Sequence, residues 1–263
     1  MKKLTEYGQW AITLGATDGI GKAFCEFFAQ NGMNVVLVGR RKELLEQLAQ
    51  ELSTKYGVKT LPVAQDLMAA DAPEQIYAQT KDLDIGIFNY VGTYHKMGRY
   101  ERVTEEDLMK IIAINITTYA KMLHHYTSEF SARQRGAIVT MSSLTGVTAS
   151  PYNDMYGATK AFQQKLTEGV AYELKDRNVD CIVIIAGSTS TPDSLNNKPG
   201  GDAADSEFMT PEAVVIEGME ALGVERSYVV GEHNRQAYDY FTKTLTRDGA
   251  AALMGSYFEE QYK

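Results

Sequence analysis

The chain is poor in cysteine, proline, tryptophan and positive charge. It has 2 cysteines, 6 prolines and 1 tryptophan among 263 residues. Cys25 and Cys181 each lie in an apolar run, so we expect two buried thiols rather than a disulfide framework. The 26 Lys and Arg residues against 34 Asp and Glu residues give a net charge of −8, which opposes binding to nucleic acid or anionic lipid. No nucleic-acid or membrane partner is expected.

Long hydrophobic runs are also missing. No window approaches the roughly 18 apolar residues of a membrane-spanning helix, and the polar residues 1–9 lack the apolar centre of a signal peptide. We therefore expect a cytoplasmic protein. Without internal repeats or a linker, the sequence predicts one domain over residues 1–263, with a lid loop at 187–210. The amphipathic tail at 238–263 carries apolar and aromatic side chains that must be buried, and a partner subunit could bury them.

What is present is a regular alternation of short apolar runs and amphipathic segments. This pattern predicts an α/β fold: a single doubly wound (Rossmann) parallel sheet of about seven strands with helices on both faces. The strands are predicted at 10–14, 34–38, 59–63, 84–88, 137–141, 179–185 and 228–230. Helices are predicted at 20–31, closed by Gly32, at 42–56, closed by Gly57, and at 104–130 and 156–175.

The first predicted strand runs into a glycine-rich turn and then a helix. Glycines at such a turn let the chain leave the strand tightly, let the backbone approach a ligand and let the helix pack close, with N–H groups facing an anion. A pyrophosphate site is predicted, although a glycine-rich turn without a ligand remains the alternative. A phosphate-binding loop of the NTPase type is excluded, because Ala16 and Ala23 replace its first glycine and its Ser or Thr. The predicted contacts are Gly15, Thr17, Asp18, Gly19, Ile20 and Gly21.

Basic residues follow the second predicted strand. In a dinucleotide fold this turn meets the adenosine ribose, where an acidic residue selects NAD and an arginine accepts the 2′-phosphate of NADP. Here the sequence is Gly39-Arg40-Arg41, which favours NADP(H) over the alternative of a solvated basic helix start. Asp66 and Leu67, after the third strand, are predicted to meet the adenine, with a simple helix cap as the alternative for Asp66.

Two Tyr-x-x-x-Lys pairs occur, Tyr77/Lys81 and Tyr156/Lys160. Only the second follows a strand that ends in two serines and opens a predicted helix, so the first is interpreted as a surface pair. The i, i+4 spacing places the phenol and ammonium on one helix face. A free phenol has a pKa of about 10, and a nearby cation favours the phenolate. Tyr156 is therefore predicted to exchange a proton with an alcohol or ketone.

The combined motifs resemble the short-chain dehydrogenase/reductase family over nearly the whole chain. They are the glycine turn, Asn89-Tyr90-Val91-Gly92, Asn115, Ser143 and Tyr156-x-x-x-Lys160. The resemblance implies that Ser143 binds the substrate oxygen, Tyr156 is the general acid/base, Lys160 also holds the nicotinamide ribose, and Asn115 supports a water chain to the lysine. It also implies a homodimer or homotetramer. Further cofactor contacts are expected at Asn89, Val91, Thr189 and Thr191.

Within that family the chain resembles bacterial NADP-dependent 7β-hydroxysteroid dehydrogenases of bile acids, through strings such as Glu6-Tyr7-Gly8-Gln9-Trp10 and Asn197-Lys198-Pro199-Gly200-Gly201. The implied function is interconversion of a sterol hydroxyl and ketone with NADP(H). Alternatives are a hydroxysteroid dehydrogenase for another position, such as 12β, a 3-oxoacyl reductase, and a non-catalytic NADP-sensing protein. Candidate substrate contacts are Tyr94, His95, Tyr152, Leu195 and Lys198, with Lys198 facing the bile-acid carboxylate. No metal site is expected.

Overall fold

A parallel β-sheet forms the centre of the protein. The computed structural model describes residues 2–191 and 208–262, of which the side chains of 260–262 are not described. The strands are β1 Trp10–Leu14, β2 Asn34–Gly39, β3 Thr60–Ala64, β4 Ile85–Tyr90, β5 Gly136–Ser143, β6 Val179–Ala186 and β7 Ser227–Val229. Every neighbouring pair is parallel and the order is β3-β2-β1-β4-β5-β6-β7. The predicted doubly wound α/β sheet of seven strands is confirmed.

Helices connect the strands and cover both faces of the sheet. They are α1 Gly19–Gln30, α2 Lys42–Tyr56, α3 Ala72–Thr80, α4 Glu105–Ile112, α5 Tyr119–Arg133, α6 Asp154–Glu173, α7 Pro211–Glu220, α8 Glu232–Asp239 and α9 Arg247–Tyr262. Gly57 ends α2 in the left-handed conformation, with φ +69°, as the sequence predicts. The short α3 has a weak apolar stripe, and the sequence analysis did not predict it.

Two apolar layers hold the helices on the sheet. On one face, Phe24 and Phe28 of α1 pack with Leu45 of α2 against alternate residues of the strands. On the other face, Tyr126 and Phe130 of α5 belong to a second buried cluster. Because both faces are covered, most of the strands are continuously apolar, which is why their sequence lacks the alternation of a half-exposed strand.

The crevice between β1 and β4 is where the strand order reverses. Leu14 ends β1, and its carbonyl accepts hydrogen bonds from the N–H groups of Val91 and Gly92, which follow β4. A Cβ at Gly15, where φ is +93°, would lie 2.7 Å from the Gly92 nitrogen, so the turns after the two strands are in direct contact. Ligands of doubly wound sheets bind at such a reversal, beyond the carboxyl ends of the strands.

The predicted helix over 104–130 is corrected by the structure. It begins as expected, where the Thr104 hydroxyl accepts a hydrogen bond from the Asp107 N–H, but α4 ends at Ile112. A π-helical turn, Ala113–Thr118 (the π-turn), separates it from α5. Such a turn adds one residue to the helical register without changing the apolar pattern that indicates a helix, so the sequence does not reveal it.

The cysteines are placed as the sequence predicts. Cys25 and Cys181 are buried, unpaired thiols. Within residues 2–191 and 208–262, none of the helices combines the length and the apolar character that spanning a bilayer demands.

Candidate active site

A cavity of about 780 Å³ opens at the carboxyl ends of the strands. It extends from the glycine turn after β1, across the turn after β4, to the start of α6 and the C-terminal helices. The sequence-predicted residues that line it are Gly15, Thr17, Asp18, Gly19, Ile20, Arg40, Arg41, Leu67, Val91, His95, Ser143, Tyr156, Lys160, Thr189 and Thr191. The structure thus brings together most of the predicted catalytic and cofactor contacts, although they come from distant parts of the chain.

Tyr156 and Lys160 lie one turn apart on α6. Tyr156 is half-buried at the cavity wall, and the Lys160 ammonium nitrogen lies 5.6 Å from the centre of its ring. The ring of His95 crosses that of Tyr156 edge to face, with centres 5.5 Å apart. The Tyr156 ring therefore lies close to both a cation and an aromatic neighbour.

Ser143 reaches the same cavity from the end of β5. Its Oγ accepts hydrogen bonds from the Thr145 hydroxyl at 2.9 Å and from the Thr145 N–H at 3.3 Å. Since a hydroxyl has a single proton to donate, these two accepted bonds leave that proton for an acceptor in the cavity. The end of β5 is held against α6 because the Ser142 hydroxyl donates to the Lys160 carbonyl at 3.1 Å.

The Lys160 side chain is buried, with 3% of the residue exposed. Its Nζ donates to the Met141 carbonyl at 2.9 Å and to Gln163 Oε1 at 3.1 Å. Burial lowers the pKa of Lys160 to about 7, because desolvation disfavours the ammonium. The two hydrogen bonds act in the opposite direction, since only the charged form can donate to both acceptors and still offer a third proton to the cavity.

Replacing Lys160 with methionine is expected to change how stability depends on pH. The folded protein releases the Lys160 proton near pH 7, whereas the unfolded chain keeps it up to about pH 10.5. Between these values the unfolded state binds more protons, so the free energy of unfolding of the wild type rises with pH relative to that of the variant. The slope is up to about 1.4 kcal/mol per pH unit. Urea denaturation of both proteins between about pH 7 and 10 measures it, and parallel curves would contradict a depressed pKa.

Asn115 lies in the π-turn behind Lys160 and does not line the cavity. Its Oδ1 accepts from the Tyr94 N–H and its Nδ2 donates to the Tyr94 carbonyl, both at 2.9 Å. The same Nδ2 is 3.0 Å from the Thr159 hydroxyl. Its main-chain carbonyl accepts from Gln163 Nε2 at 2.9 Å. The structure therefore connects Asn115 with Lys160 through the side chain of Gln163, and the role that the resemblance implies for Asn115 stays a prediction.

The glycine turn leaves a cradle at the other end of the cavity. Gly19 has φ +47°, and a Cβ there would lie 2.8 Å from the Thr191 methyl, so only glycine lets the two walls approach this closely. Gly21 lies behind the wall, where a Cβ would overlap the Gly15 carbonyl at 1.8 Å. The first N–H groups of α1 have no acceptor within the helix, and that of Gly19 donates to the Asp18 carboxylate. The cradle therefore fits an anionic group such as a pyrophosphate.

Arg40 and Arg41 border the cradle after β2. Arg41 Nη2 donates to the Thr17 hydroxyl at 2.7 Å and lies 3.6 Å from Asp18 Oδ2. Asp18 also begins α1, since its carboxylate accepts from the Gly19 N–H. Arg41 is the N-terminal flanking residue of α2, and no side chain caps that helix end. The two exposed guanidinium groups thus lie where an additional phosphate of a dinucleotide could be bound.

Like Gly21, two other predicted cofactor contacts do not line the cavity. Asp66 is exposed, and its Oδ1 accepts from the Met68 N–H in the turn before α3, so it does not cap that helix, which begins at Ala72; Gln65 and Leu67 form the wall instead. Asn89 is buried beneath the turn after β4. Its Nδ2 donates to the Thr13 hydroxyl at 3.3 Å, and among the described residues its buried Oδ1 has no partner. An unsatisfied buried acceptor next to the cradle is a second sign that this end of the cavity receives a polar ligand.

The opposite half of the cavity is mostly apolar and is closed by the chain's own C-terminal helices. Its wall combines side chains from the turn after β4, the end of β5, the segment before α7 and the C-terminal region: Met97, Leu144, Phe208, Phe241, Met254, Tyr257 and Phe258. The sequence indicates that the aromatic tail must be buried against other residues and leaves a partner subunit as one source of that burial. In the structure Met254 and Phe258 are already buried within the chain.

The predicted substrate contacts have mixed outcomes. His95 lines the cavity, whereas Tyr94 does not, because its hydroxyl donates to Asp107 Oδ1 at 2.7 Å and its backbone pairs with Asn115. Tyr152 also lies outside the wall, in a turn with φ +66° where its carbonyl accepts from the Gly98 N–H. Leu195 and Lys198 lie outside the described residues.

Other cavity residues were missed by the sequence analysis. They include Gln65, Thr93, Ile114, Thr145, Asn153, Ser188, His233, Asn234 and Ala237. Gln163 was missed as well. The available signal was a polar residue three places after Lys160 on a helix face that is otherwise packed against the sheet, but polar residues at that spacing are common on exposed faces.

Comparison with known proteins places the chain in a family. A family profile described as short chain dehydrogenase matches residues 9–199. A 7beta-hydroxysteroid dehydrogenase of Mediterraneibacter gnavus is 43% identical over 258 residues, 97% of this chain and 98% of that protein. A structure reported under "Structural and biochemical insights into 7beta-hydroxysteroid dehydrogenase stereoselectivity" is 42% identical, covers 97% of this chain and 99% of its own, and has a TM-score of 0.92.

A nicotinamide cofactor is consistent with a further structural relative. A short-chain dehydrogenase from Sphingobium yanoikuyae in complex with NADPH is 26% identical, covers 88% of this chain and 90% of its own, and has a TM-score of 0.78. This likeness, the cradle at the reversal of strand order and the profile match together support nicotinamide cofactor binding. The chain belongs to the short-chain dehydrogenase family.

Proposed function

We propose that the protein is an NADP(H)-dependent 7β-hydroxysteroid dehydrogenase that interconverts a 7β-hydroxyl and a 7-ketone on a bile acid. The observation that carries the proposal is the 43% identity to a 7beta-hydroxysteroid dehydrogenase over 97% of the chain, which includes the substrate half of the cavity as well as the cofactor half. The apolar wall formed by the C-terminal helices suits a rigid hydrocarbon skeleton, since small-molecule sites are mostly apolar with a few placed polar groups.

In the proposed mechanism Tyr156 moves the proton. In the oxidative direction its phenolate takes the proton of the substrate hydroxyl, and in the reductive direction its phenol returns that proton to the ketone oxygen. Lys160 supports the phenolate by its positive charge, 5.6 Å from the ring centre. Ser143 donates its hydroxyl proton to the substrate oxygen and so orients the carbon that reacts. The bound cofactor accepts or supplies the hydride.

The proposed cofactor contacts are those around the cradle. The N–H groups at the start of α1 would hold the pyrophosphate, and Arg40 and Arg41 would hold the 2′-phosphate of NADP(H). Lys160 would hold the nicotinamide ribose with the proton that it does not donate to Met141 or Gln163. Thr189 and Thr191 line the cavity on the side of β6, where the nicotinamide carboxamide would lie.

The proposal is tested with NADP⁺ and a set of bile acids that differ at one position. The protein should reduce NADP⁺ with a bile acid that carries a 7β-hydroxyl, and not with its 7α-epimer or with one that has no hydroxyl at carbon 7. Oxidation at carbon 3 or 12 instead would assign another hydroxysteroid position, and reduction of a 3-oxoacyl thioester alone would assign an acyl reductase.

A protein that binds NADPH tightly but turns over none of these substrates would instead support a sensing role. The family likeness also leads us to propose a homodimer or homotetramer in the cytoplasm. Sedimentation at several protein concentrations measures the number of subunits, and a monomer at micromolar concentration would contradict this part of the proposal.

A further inference from the structure

Gln163 is a buried polar residue directly behind the catalytic pair. It lies on α6, three residues after Lys160, and none of its surface is exposed. It does not line the cavity, so it does not contact substrate. Side chains in such positions are usually apolar, because a buried amide costs free energy unless each of its polar atoms is paired.

Both ends of the Gln163 amide are engaged, and their orientation is fixed. Oε1 accepts from the Lys160 ammonium at 3.1 Å, and Nε2 donates to the Asn115 carbonyl at 2.9 Å. An ammonium can only donate and a carbonyl can only accept, so exchanging the amide oxygen and nitrogen would lose both bonds. The side chain therefore forms a defined bridge between the π-turn and the lysine.

We propose that Gln163 is a positioning residue that holds the Lys160 ammonium beneath Tyr156 and favours its charged form. It fills the place between the Asn115 carbonyl and the lysine for which the family resemblance implies a water. A protein amide bound at both ends cannot move away as a water can, so the ammonium stays at one position throughout the reaction. This inference rests on the proposed function only for its catalytic consequence.

The electrostatic surroundings explain why one neutral amide matters. Lys160 is enclosed, and its pKa is lowered by burial rather than by a neighbouring cation. Among the described residues, the titratable groups at this region are Tyr156 on α6, His95, whose ring crosses that of Tyr156, and Tyr119 on α5, whose hydroxyl lies 3.3 Å from the Gln163 carbonyl. The ammonium is therefore stabilised by the oxygens of Met141 and Gln163, and losing one of them shifts the balance towards the neutral amine.

Three variants test the proposal in the protein without cofactor or substrate. Gln163→Met keeps the length and removes both hydrogen bonds, Gln163→Glu replaces the amide by a carboxylate, and Gln164→Met is the matched control. Gln164 is buried to a similar extent on the same helix, but its Nε2 donates to Glu168, and the hydrogen bonds of the Lys160 ammonium go to Met141 and Gln163 instead. The Lys160 pKa is followed by the ¹³Cε chemical shift, assigned by its loss in Lys160→Met.

Gln163→Met is expected to lower the Lys160 pKa by about one unit, the size of a lost hydrogen bond to a charged group. Gln163→Glu is expected to raise it, because an anion next to the ammonium favours the charged form. Gln164→Met should leave it unchanged. If Gln163→Met does not fold, the opposite shift in Gln163→Glu still tests the contact. A Lys160 pKa that is the same in the wild type and in every Gln163 variant that folds would overturn the proposal.

The catalytic consequence has a separate readout. In Gln163→Met, kcat for alcohol oxidation near neutral pH should fall about tenfold, and the acid limb of its pH profile should move about one unit upward, because a neutral lysine no longer favours the Tyr156 phenolate. An unchanged profile would overturn the positioning role. The titration of Lys160 requires no turnover, so its result stands apart from any failure of the proposed substrate.

Discussion

Replacing Tyr156 with phenylalanine is expected to lower kcat by a factor of about 10²–10⁴ in both directions, the usual contribution of a general acid or base. The substitution removes only the hydroxyl. The ring that packs edge to face on His95 remains, so the free energy of unfolding should change by less than about 1 kcal/mol. Steady-state kinetics at saturating NADP⁺ or NADPH measures the loss, and fluorescence titration checks that the cofactor still binds.

The second Tyr-x-x-x-Lys pair supplies the control. Tyr77 is half-buried on α3, its ring stacks on His125 with centres 3.6 Å apart, and its hydroxyl lies 3.5 Å from the Lys121 carbonyl. Tyr77→Phe makes the same chemical change away from the cavity and should leave kcat within about twofold of the wild type. If Tyr156→Phe kept more than a tenth of the wild-type kcat, Tyr156 would not be the group that moves the proton.

The sheet could be predicted from the sequence because its physical cause is local. Strands covered on both faces are continuously apolar, and β1 has the predicted bounds, Trp10–Leu14. Helix ends marked by glycine were equally clear. The π-turn could not be predicted, because an added residue in a helix leaves the apolar periodicity nearly intact while it changes which carbonyl accepts from Gln163.

The cofactor half of the site could also be predicted from the sequence better than the substrate half, for the same reason. The cofactor half is built from turns that directly follow strands, so its residues are neighbours in sequence and their order carries the signal. The substrate half joins Met97 and Leu144 to Met254, more than a hundred residues away along the chain, and only the folded C-terminal helices bring them together. The bridging role of Gln163 could not be predicted from the sequence, because its partners, Lys160 and Asn115, come from two different helical segments.

The proposed preference for NADPH is expected to be lost when Arg40 and Arg41 are both replaced with alanine. We expect kcat/KM for NADPH to fall about 10²–10³-fold, the equivalent of two charge-assisted hydrogen bonds to a phosphate, while kcat/KM for NADH changes less than about threefold. Arg41 should contribute more than Arg40, since the Thr17 hydroxyl already holds its guanidinium at the cradle. Initial rates with each cofactor, and binding constants from fluorescence titration, measure the change.

Lys42 provides the matched control, because it is the next cation along the chain and lies on α2 outside the cavity wall. It is exposed and 3.8 Å from Glu46, so Lys42→Ala should lower the rate with NADPH only slightly. An equal loss in Lys42→Ala would mean that net charge, rather than direct contact, attracts the cofactor. An unchanged ratio of NADPH to NADH rates in the double variant would refute the assignment of NADP(H).

Asp18 makes the loss in the double variant larger. Its carboxylate lies 3.6 Å from Arg41 and repels an added phosphate, so NADPH is preferred only while the two guanidinium groups outweigh that repulsion.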